Sequence, residues 1–284
     1  MGNTKGTQTW REKYRSSSFQ TYLKNAIVAP AICQVDTSDN YLIKDPYSAT
    51  PTVTVQALAG TYNVADWTTT NDYLTVTDEF IVGEHVFDFE TLLGQFDMMA
   101  DRIDRQTYAL AAAVDKWVLN NLCEDAAGSY TTPTGGFTTA ANVLTILANL
   151  NSKWAGYANA FQTPFLVIEN TDLVGVQIAA MTNGFSTADA ALKNGKITSL
   201  AGIDIYVVPS GTFADATTGT KTYTNSGHRV AGLKGLATYA QPRGVTFDEK
   251  GVSGKTGKEI CGVTYAGFKV WNQIASMIID ITIA

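Results

Sequence analysis

Residues 88–123 read DFETLLGQFDMMADRIDRQTYALAAAVDKWVLNNLC, and their apolar side chains recur every three or four positions. The recurring residues are Leu92, Phe96, Met99, Ile103, Leu110, Val114 and Trp117, with the polar Thr107 in the one missing place. Asp88 is a suitable N-cap, and Gly128 follows the last turn. The spacing predicts one amphipathic helix of about 50 Å. Such a helix is longer than a small core needs, so we expect it to be a backbone on which other elements are assembled.

The residue pattern of the chain before this helix falls into two different parts. From Trp10 to Val28 the apolar residues have a loose helical spacing that ends at Pro30, which predicts an arm with one amphipathic helix. Residues 36–89 instead contain short runs of β-branched and aromatic residues, at 52–56, 73–77 and 80–83. These runs predict two or three strands of an extended hairpin with a polar tip around residues 66–71.

The chain after the long helix alternates between helices and strands. Thr138 opens a helix with Val143, Ile146, Leu147 and Leu150 on one face, and a strand at 164–168 precedes a helix capped by Asn170 or Thr171. Residues 196–200 and 203–208 flank Ala201-Gly202 and predict a hairpin. The alternation indicates a small α/β subdomain. The last third predicts strands at 230–239, 263–271 and 274–283, with a Gly/Lys-rich loop at 249–258.

Charge is scarce and unevenly distributed along the 284 residues, of which 45% are hydrophobic and 16% charged. The chain can therefore bury a sizeable core and present a surface that neighbours can cover without desolvating many charges. Residues 1–24 hold Lys5, Arg11, Lys13, Arg15 and Lys24 against Glu12, a net charge of +4 that leaves −10 for the remainder. A basic arm on an acidic body favours contact with a polyanion or an acidic partner. A solvated tail explains the charge equally well.

Cysteine usage and hydropathy indicate a protein made in the cytosol. Cys33, Cys123 and Cys261 have spacings that fit neither a zinc site nor a disulfide framework, which favours a reducing compartment. No segment approaches the roughly 20 apolar residues of a membrane span, and the polar start of the chain does not resemble a signal peptide.

Motifs for catalysis or cofactor binding are not found. The two histidines, His85 and His228, are far apart, and no G-x-S-x-G motif occurs. Gly254-Lys255-Thr256 ends like a phosphate-binding loop, but Glu249 occupies the place of its first glycine. A turn between strands explains these glycines better. We therefore predict no catalytic, cofactor or metal residues.

One acidic cluster and one pair of aromatic residues each allow two interpretations. Asp97, Asp101 and Asp104 lie on neighbouring turns of the long helix and could hold a metal, but Arg102 and Arg105 are interleaved with them, which favours an ion-pair ladder. Trp67 and Tyr73, near the predicted hairpin tip, fit either ordinary hairpin packing or a contact with a neighbouring subunit.

The order of these parts resembles the major capsid proteins of tailed bacteriophages, which have the Hong Kong 97-type fold of the α+β class. The most telling local similarity is Phe165-Leu-Val-Ile-Glu-Asn170, a helix, a variable loop, and then the run GKITSLAGIDIYVVP at 195–209. The resemblance covers the whole chain. It implies an N-terminal arm at 1–35, an extended β-hairpin called the E-loop at 36–87, a peripheral (P) domain at 88–137 with a spine helix at 88–123, an axial (A) domain at 138–235, and returning P-domain strands at 236–284.

The resemblance also implies a function without catalysis. Such proteins assemble through hexamers and pentamers around their A-domains, with E-loops over adjacent subunits, into an icosahedral shell around double-stranded DNA. The hypothesis for this chain places the basic arm on the inner face, near scaffolding protein or packaged DNA, and the E-loop tip with Trp67 and Tyr73 at a subunit contact. Expected partners are scaffolding, portal and cement proteins, with no membrane. The expected location is the virion, assembled in the host cytoplasm.

The chain departs from the family pattern at one position. Some members link their subunits through an E-loop lysine, but no lysine occurs here from Asp45 through Asp115, so we expect a shell held by non-covalent contacts. The predicted arm begins close to the first residue of the sequence, so we expect a separate scaffolding protein and not a fused one. A small segment removed by a protease is the alternative. The rival hypotheses are a nanocompartment shell of the same fold, which would enclose protein, and an α/β enzyme with a dispersed site.

Overall fold

The computed structural model describes residues 27–48, 53, 55, 60, 69–86, 98–154, 163–182, 199–218, 221–251, 256–272 and 275–284. The helices are α1 (Ala29–Ile32), α2 (Met98–Glu124), α3 (Ala140–Trp154) and α4 (Leu173–Thr182), with 3₁₀ turns at Gly136–Thr138 and Ala275–Met277. The strands are β1 (Gln34–Asp36), β2 (Leu42–Ser48), β3 (Thr69–Thr75), β4 (Asp78–Val86), β5 (Gly128–Thr131), β6 (Pro164–Glu169), β7 (Ser199–Leu200), β8 (Ile203–Val208), β9 (Asp215–Thr218), β10 (Lys221–Thr224), β11 (His228–Leu233), β12 (Ala237–Ala240), β13 (Thr246–Gly251), β14 (Lys258–Val270) and β15 (Ile279–Thr282).

A six-stranded mixed sheet has the order β5-β15-β11-β6-β8-β7. Its central strand β6 is parallel to β8 and antiparallel to β11, and all six β6 residues are buried. Phe165 and Val167 pack into the cluster that includes α2, while Leu166 and Ile168 pack into the cluster under α3 and α4. The sheet is therefore covered on both faces, which explains the continuous apolar run of β6.

The outer layer on this sheet consists of α3 and α4. The four residues predicted on the inner face of α3, Val143, Ile146, Leu147 and Leu150, are all buried. Gly175 of α4 lies directly against the 3₁₀ turn, where an added Cβ would stand 2.1 Å from the carbonyl oxygen of Phe137. Only glycine permits this approach, so Gly175 sets the distance between α4 and the rest of the layer.

A second sheet has the order β1-β12-β14-β13, and β4 pairs with the other side of β14. The thirteen residues of β14 form nine pairs with β4, six with β13 and four with β12. Strand β1 is parallel to β12. This sheet packs on α2, where Trp117 makes edge-to-face contacts with Phe80 of β4 and Phe268 of β14 at 5.7 and 6.2 Å between ring centroids.

The long helix α2 has 27 residues, about 40 Å. Its predicted end near Cys123 agrees with the observed end at Glu124, and its predicted start at Asp88 lies outside the described residues. The polar Thr107 in the apolar series is half-buried and donates its hydroxyl hydrogen to the carbonyl oxygen of Ile103 at 2.8 Å. That bond satisfies the hydroxyl within the helix, which is why a polar residue is tolerated there.

Four strand predictions need correction. The single strand predicted at 230–239 is two strands, β11 and β12, because Gly235 adopts a left-handed φ of 78° and turns the chain between them. The strand predicted at 274–283 begins only at Ile279, after a 3₁₀ turn. The hairpin of β9 and β10 was not predicted. Strand β15 was grouped with the returning strands, yet it pairs with β11 and β5 in the six-stranded sheet.

Other predictions agree with the structure. The hairpin of β7 and β8 turns at Ala201-Gly202, whose φ values are 53° and 81°. The Gly/Lys-rich loop predicted at 249–258 agrees only in part, because its first three residues belong to β13 and its last residue begins β14, while residues 252–255 lie outside the described residues. Most of the strand predicted at 52–56 lies outside the described residues, as does the whole of the arm up to residue 26. The boundaries given above for the arm, the E-loop and the two domains stay predictions.

Replacing Gly175 by alanine should destabilise the subunit. The new methyl group would overlap carbonyl oxygens of Phe137 and Thr138, so backbone must move, at a cost of about 1–3 kcal/mol. Urea unfolding of unassembled Gly175→Ala should show this loss. The control is Gly244→Ala, where an added Cβ meets nothing within 4 Å. Equal stability of the two variants would contradict the close approach.

Candidate functional site

The start of α1, which follows the undescribed N-terminal residues, is fixed by a buried carboxylate on α2. Asp115 accepts hydrogen bonds from the backbone N–H groups of Val28 and Ala29, at 2.9 and 2.6 Å. Burial raises the pKa of Asp115, against the opposing effect of these two bonds. The N–H groups belong to the start of α1, which favours a negative charge. The chain that follows the basic arm is therefore attached to the long helix.

The five basic residues of the predicted arm, Lys5, Arg11, Lys13, Arg15 and Lys24, all lie outside the described residues. The structure places only the end of the arm, at the N-terminus of α1 beside Asp115. Their inner-face position stays a prediction.

The hairpin of β2 and β3 projects from the second sheet. The two strands pair along seven residues, and among the described strands β2 has β3 as its sole sheet partner. Leu74 and Val76 bury the base of the hairpin against Ala240. A two-stranded hairpin is only marginally stable in water. The described packing of this hairpin on the body is thus concentrated at its base, around Leu74 and Val76.

Tyr73 and Trp67, the two predicted contact residues, are placed differently. Tyr73 lies in β3 directly opposite Lys44, is 45% exposed, and has the Lys44 ammonium 5.6 Å from its ring centroid. This position is toward the base of the hairpin, away from its tip. Trp67 lies outside the described residues. Between the two strands in sequence, Val53 and Val55 are 84% and 93% exposed, so these two apolar side chains face solvent.

A carboxylate at the base of the hairpin ties it to the body. Asp72 of β3 accepts hydrogen bonds from the backbone N–H of Asn272 at 3.0 Å and pairs with the Lys269 ammonium at 3.0 Å. Burial acts to raise the pKa of Asp72, but the Asn272 N–H and Lys269 outweigh burial and hold the pKa below its ordinary value. The ionised form therefore stabilises the attachment of the hairpin.

A buried ionic cluster, which the sequence analysis did not single out, lies at the end of β6. The Arg229 guanidinium donates to Glu169 at 3.2 Å and to Asp172 at 2.5 Å. Glu169 also accepts the backbone N–H groups of Gly211 and Phe213. All these side-chain charges are nine-tenths or more buried and have partners. The cluster joins β6, β11 and the loop after β8, and its saturated bonding indicates a structural role.

The remaining candidates for chemistry are paired or not described. His228 contacts Asp280 at 2.9 Å. Arg102 pairs with Glu84 of β4 at 3.5 Å, so this member of the predicted ladder reaches the sheet. Asp97 and the side chain of Asp101 are outside the description. No group of three His, Cys, Asp or Glu residues suited to a metal occurs in the ranges given above.

An open groove of about 610 Å³ lies beside the base of the hairpin. Its walls include Asp39, Tyr41, Asp78, Glu79 and Tyr265. A hydrogen bond to Glu79 raises the pKa of the Tyr265 hydroxyl. The lining of the groove is acidic and contains neither a histidine nor a cysteine. Among the described residues, no helix is long and apolar enough to cross a membrane.

The fold defined by these parts, with its long helix, its projecting hairpin and its two sheets, is that of phage capsid subunits. The structure aligns with a chain of Mycobacterium phage Che8 at a TM-score of 0.68 and 17% identity, covering 85% of this chain and 84% of that one. A capsid chain of Cyanophage P-SCSP1u gives a TM-score of 0.70 at 14% identity, covering 89% of this chain and 86% of that one. The capsid of an empty GTA particle gives a TM-score of 0.66 at 14% identity, covering 91% of this chain and 90% of that one.

The predicted α+β capsid fold is thereby confirmed. At identities of 14–17% the likeness concerns the fold. Comparison of the sequence alone gives no match, either to a family model or to a curated protein. The coverage is high on both sides, so the likeness extends over most of each chain.

Replacing Asp72 by asparagine should destabilise the subunit at neutral pH. The variant keeps an acceptor oxygen but loses the charge that pairs with Lys269, at a cost of about 1–3 kcal/mol. Because folding lowers the pKa of Asp72, the stabilisation is present above the ordinary carboxyl pKa and is lost as the pH falls through the lower folded value.

Urea unfolding of unassembled subunits at pH 7 and at pH 3 tests this prediction. The difference between Asp72→Asn and the original chain should shrink at pH 3. The control is Asp248→Asn, since the Asp248–Lys250 pair has side chains 61% and 74% exposed and should contribute little. A difference that stays constant with pH would contradict the role of the Asp72 charge.

Proposed function

We propose that this chain is a major capsid protein, which self-assembles through hexamers and pentamers into the icosahedral head shell around the double-stranded DNA of a tailed phage. The observation that carries the proposal is the alignment over 85–91% of the chain with subunits of phage and GTA capsids. The likeness covers 84–90% of those chains as well, so it concerns most of a shell subunit. A structural and non-enzymatic role follows from the same likeness.

The exposed surfaces of the described chain support assembly. Among the described residues, the hairpin of β2 and β3 packs on the body at its base, and Val53 and Val55 are almost fully exposed. An isolated subunit gains nothing from such a hairpin, whereas a neighbouring copy could bury it. With 16% charged residues, the chain can form large contacts without desolvating many charges. In the proposed shell, E-loops lie over adjacent subunits and A-domains surround the capsomer axes.

Partners and location follow from this proposal. Scaffolding and portal proteins would act during assembly in the host cytoplasm, and a cement protein would strengthen a shell held by non-covalent contacts. The absence of lysine from Asp45 through Asp115 supports non-covalent contacts. Lys44, at the base of the hairpin, lies over the ring of Tyr73. The mature chain would reside in the virion.

A nanocompartment shell is the second candidate, because the same fold can enclose protein cargo. The GTA capsid among the similar structures shows that the fold also occurs outside particles named as phages. The contents of purified particles separate these candidates: nucleic acid for a phage or GTA head, and protein for a compartment. An enzyme would instead form a small discrete oligomer with a deep pocket.

Expression of the full chain, alone and with its genomic neighbours, should yield closed shells tens of nanometres across. Negative-stain electron microscopy and sedimentation measure their size, and nuclease-protected DNA measures their content. The physical reason is that the exposed hairpin and apolar surfaces are satisfied only between copies. A well-behaved monomer under every co-expression condition would overturn the proposal.

Deletion of residues 2–24 should reduce the number of DNA-filled shells. This segment carries a net charge of +4, and on the inner face it would contact scaffolding protein or phosphate groups without reading bases. A variant with Lys5, Arg11, Lys13, Arg15 and Lys24 all replaced by glutamine keeps the length and removes the charge. Normal shells with normal DNA content in both variants would contradict the proposed role of the arm.

A further inference from the structure

Helices α3 and α4 lie in one layer on the same face of the six-stranded sheet, but their outward faces differ in chemistry. The exposed positions of α3 include Thr145, Asn149, Ser152 and Lys153, as expected for a helix that faces water. Helix α4 exposes Val174, Ile178 and Met181 by 60%, 47% and 43%. Two helices in one layer, with opposite surface chemistry, indicate two different environments in the assembled protein.

The residues Val174, Ile178 and Met181 form one continuous stripe, which we name the α4 apolar face. Their spacing of four and three residues places them on the same side of the helix. The opposite side, with Val176, Ala179 and Ala180, is fully buried. No charged residue occurs from Leu173 through Thr182. Apart from Gln177 and Thr182 the helix is apolar, and a helix of this composition is normally buried, so the exposed stripe favours a cover.

We infer that a second copy of this chain covers the α4 apolar face within the shell. This inference rests on the proposed capsid function, which supplies many copies at fixed distances. The face is a convex helix surface, whereas small molecules bind in concave pockets, so another protein surface is the fitting occupant. Because the stripe carries no charge, the surface of the neighbouring copy that meets it must be apolar as well.

The size of the face explains why it would act only in an assembly. A stable pair of proteins buries about 800 Å² on each partner, and three half-exposed side chains supply only a part of that area. The α4 contact alone should therefore leave subunits separate. Joined to other contacts between the same copies, it gains strength from their combined valency. The face is thus suited to a lattice that closes cooperatively.

A thiol placed on the face tests the inference. The variant Ile178→Cys, in the full chain, is treated with a maleimide as free subunits and as particles, and Thr145→Cys on α3 is the matched control. Cys33 and Cys123 are buried and Cys261 is half-buried, so the original chain measures the background. The labelling rate at position 178 should fall at least tenfold on assembly, while position 145 stays reactive.

Each outcome of the labelling decides a specific point. Shells with an unprotected position 178 overturn the inference and leave the capsid function standing. Protection already in free subunits also overturns it, because the chain itself would then cover the face. A chain that never assembles and stays fully reactive overturns the inference and the capsid function together.

A charge on the face gives an independent measurement. Ile178→Glu should keep the melting temperature of the free subunit, because the side chain is half-exposed, and should lower the yield of particles at least tenfold. The control Thr145→Glu on α3 and the conservative variant Ile178→Leu should both assemble normally. Normal yields from Ile178→Glu would overturn the inference.

Discussion

Helix α2 is the element on which the whole structure depends, because both sheets pack against it. One apolar cluster contains Val114, Trp117 and Leu122 of the helix together with Phe165 of the six-stranded sheet and Val270 of the second sheet. Strands β4 and β14 cover it through the Phe80 and Phe268 rings. A single helix thus replaces the direct sheet-to-sheet core of a compact domain. Any displacement of α2 must move both sheets.

The same helix fixes the start of α1 and the loop after β8. Asp115 holds Val28 and Ala29, and Lys116 and Asn120 donate hydrogen bonds to Gly211 and Thr212 in that loop. Glu169 binds that loop from the other side, through Gly211 and Phe213. The buried Arg229 neutralises Glu169 and Asp172, so two carboxylates can remain in the interior. These charges orient the loop and the helix relative to each other, a task that apolar contacts perform with less precision.

The sequence predicts those parts of the fold that rest on periodicity and turn chemistry. Helices α2, α3 and α4 and the β7–β8 hairpin follow from apolar spacing, capping residues and Ala201-Gly202, all of which are local signals. Sheet order does not follow, because the pairing of β1 with β12 or of β5 with β15 joins residues more than a hundred positions apart. The Arg229 cluster is missed for the same reason: its members are Glu169 and Asp172 on one segment and an arginine about 60 residues later. Only the fold brings them together.

The distribution of charge and apolar surface gives the assembly argument its physical basis. A self-sufficient domain covers its apolar residues with its own elements, as β6 is covered on both sides here. This chain leaves Val55, between β2 and β3, and Ile178 of α4 exposed to solvent, although it buries many other apolar side chains in its core. Exposed apolar side chains in isolation need no explanation, but Val55 lies between the strands of a hairpin whose described packing is at its base, and Ile178 lies on a helix without a charged residue. Contacts between copies, which the proposed assembly would supply, account for both features better than an isolated subunit does.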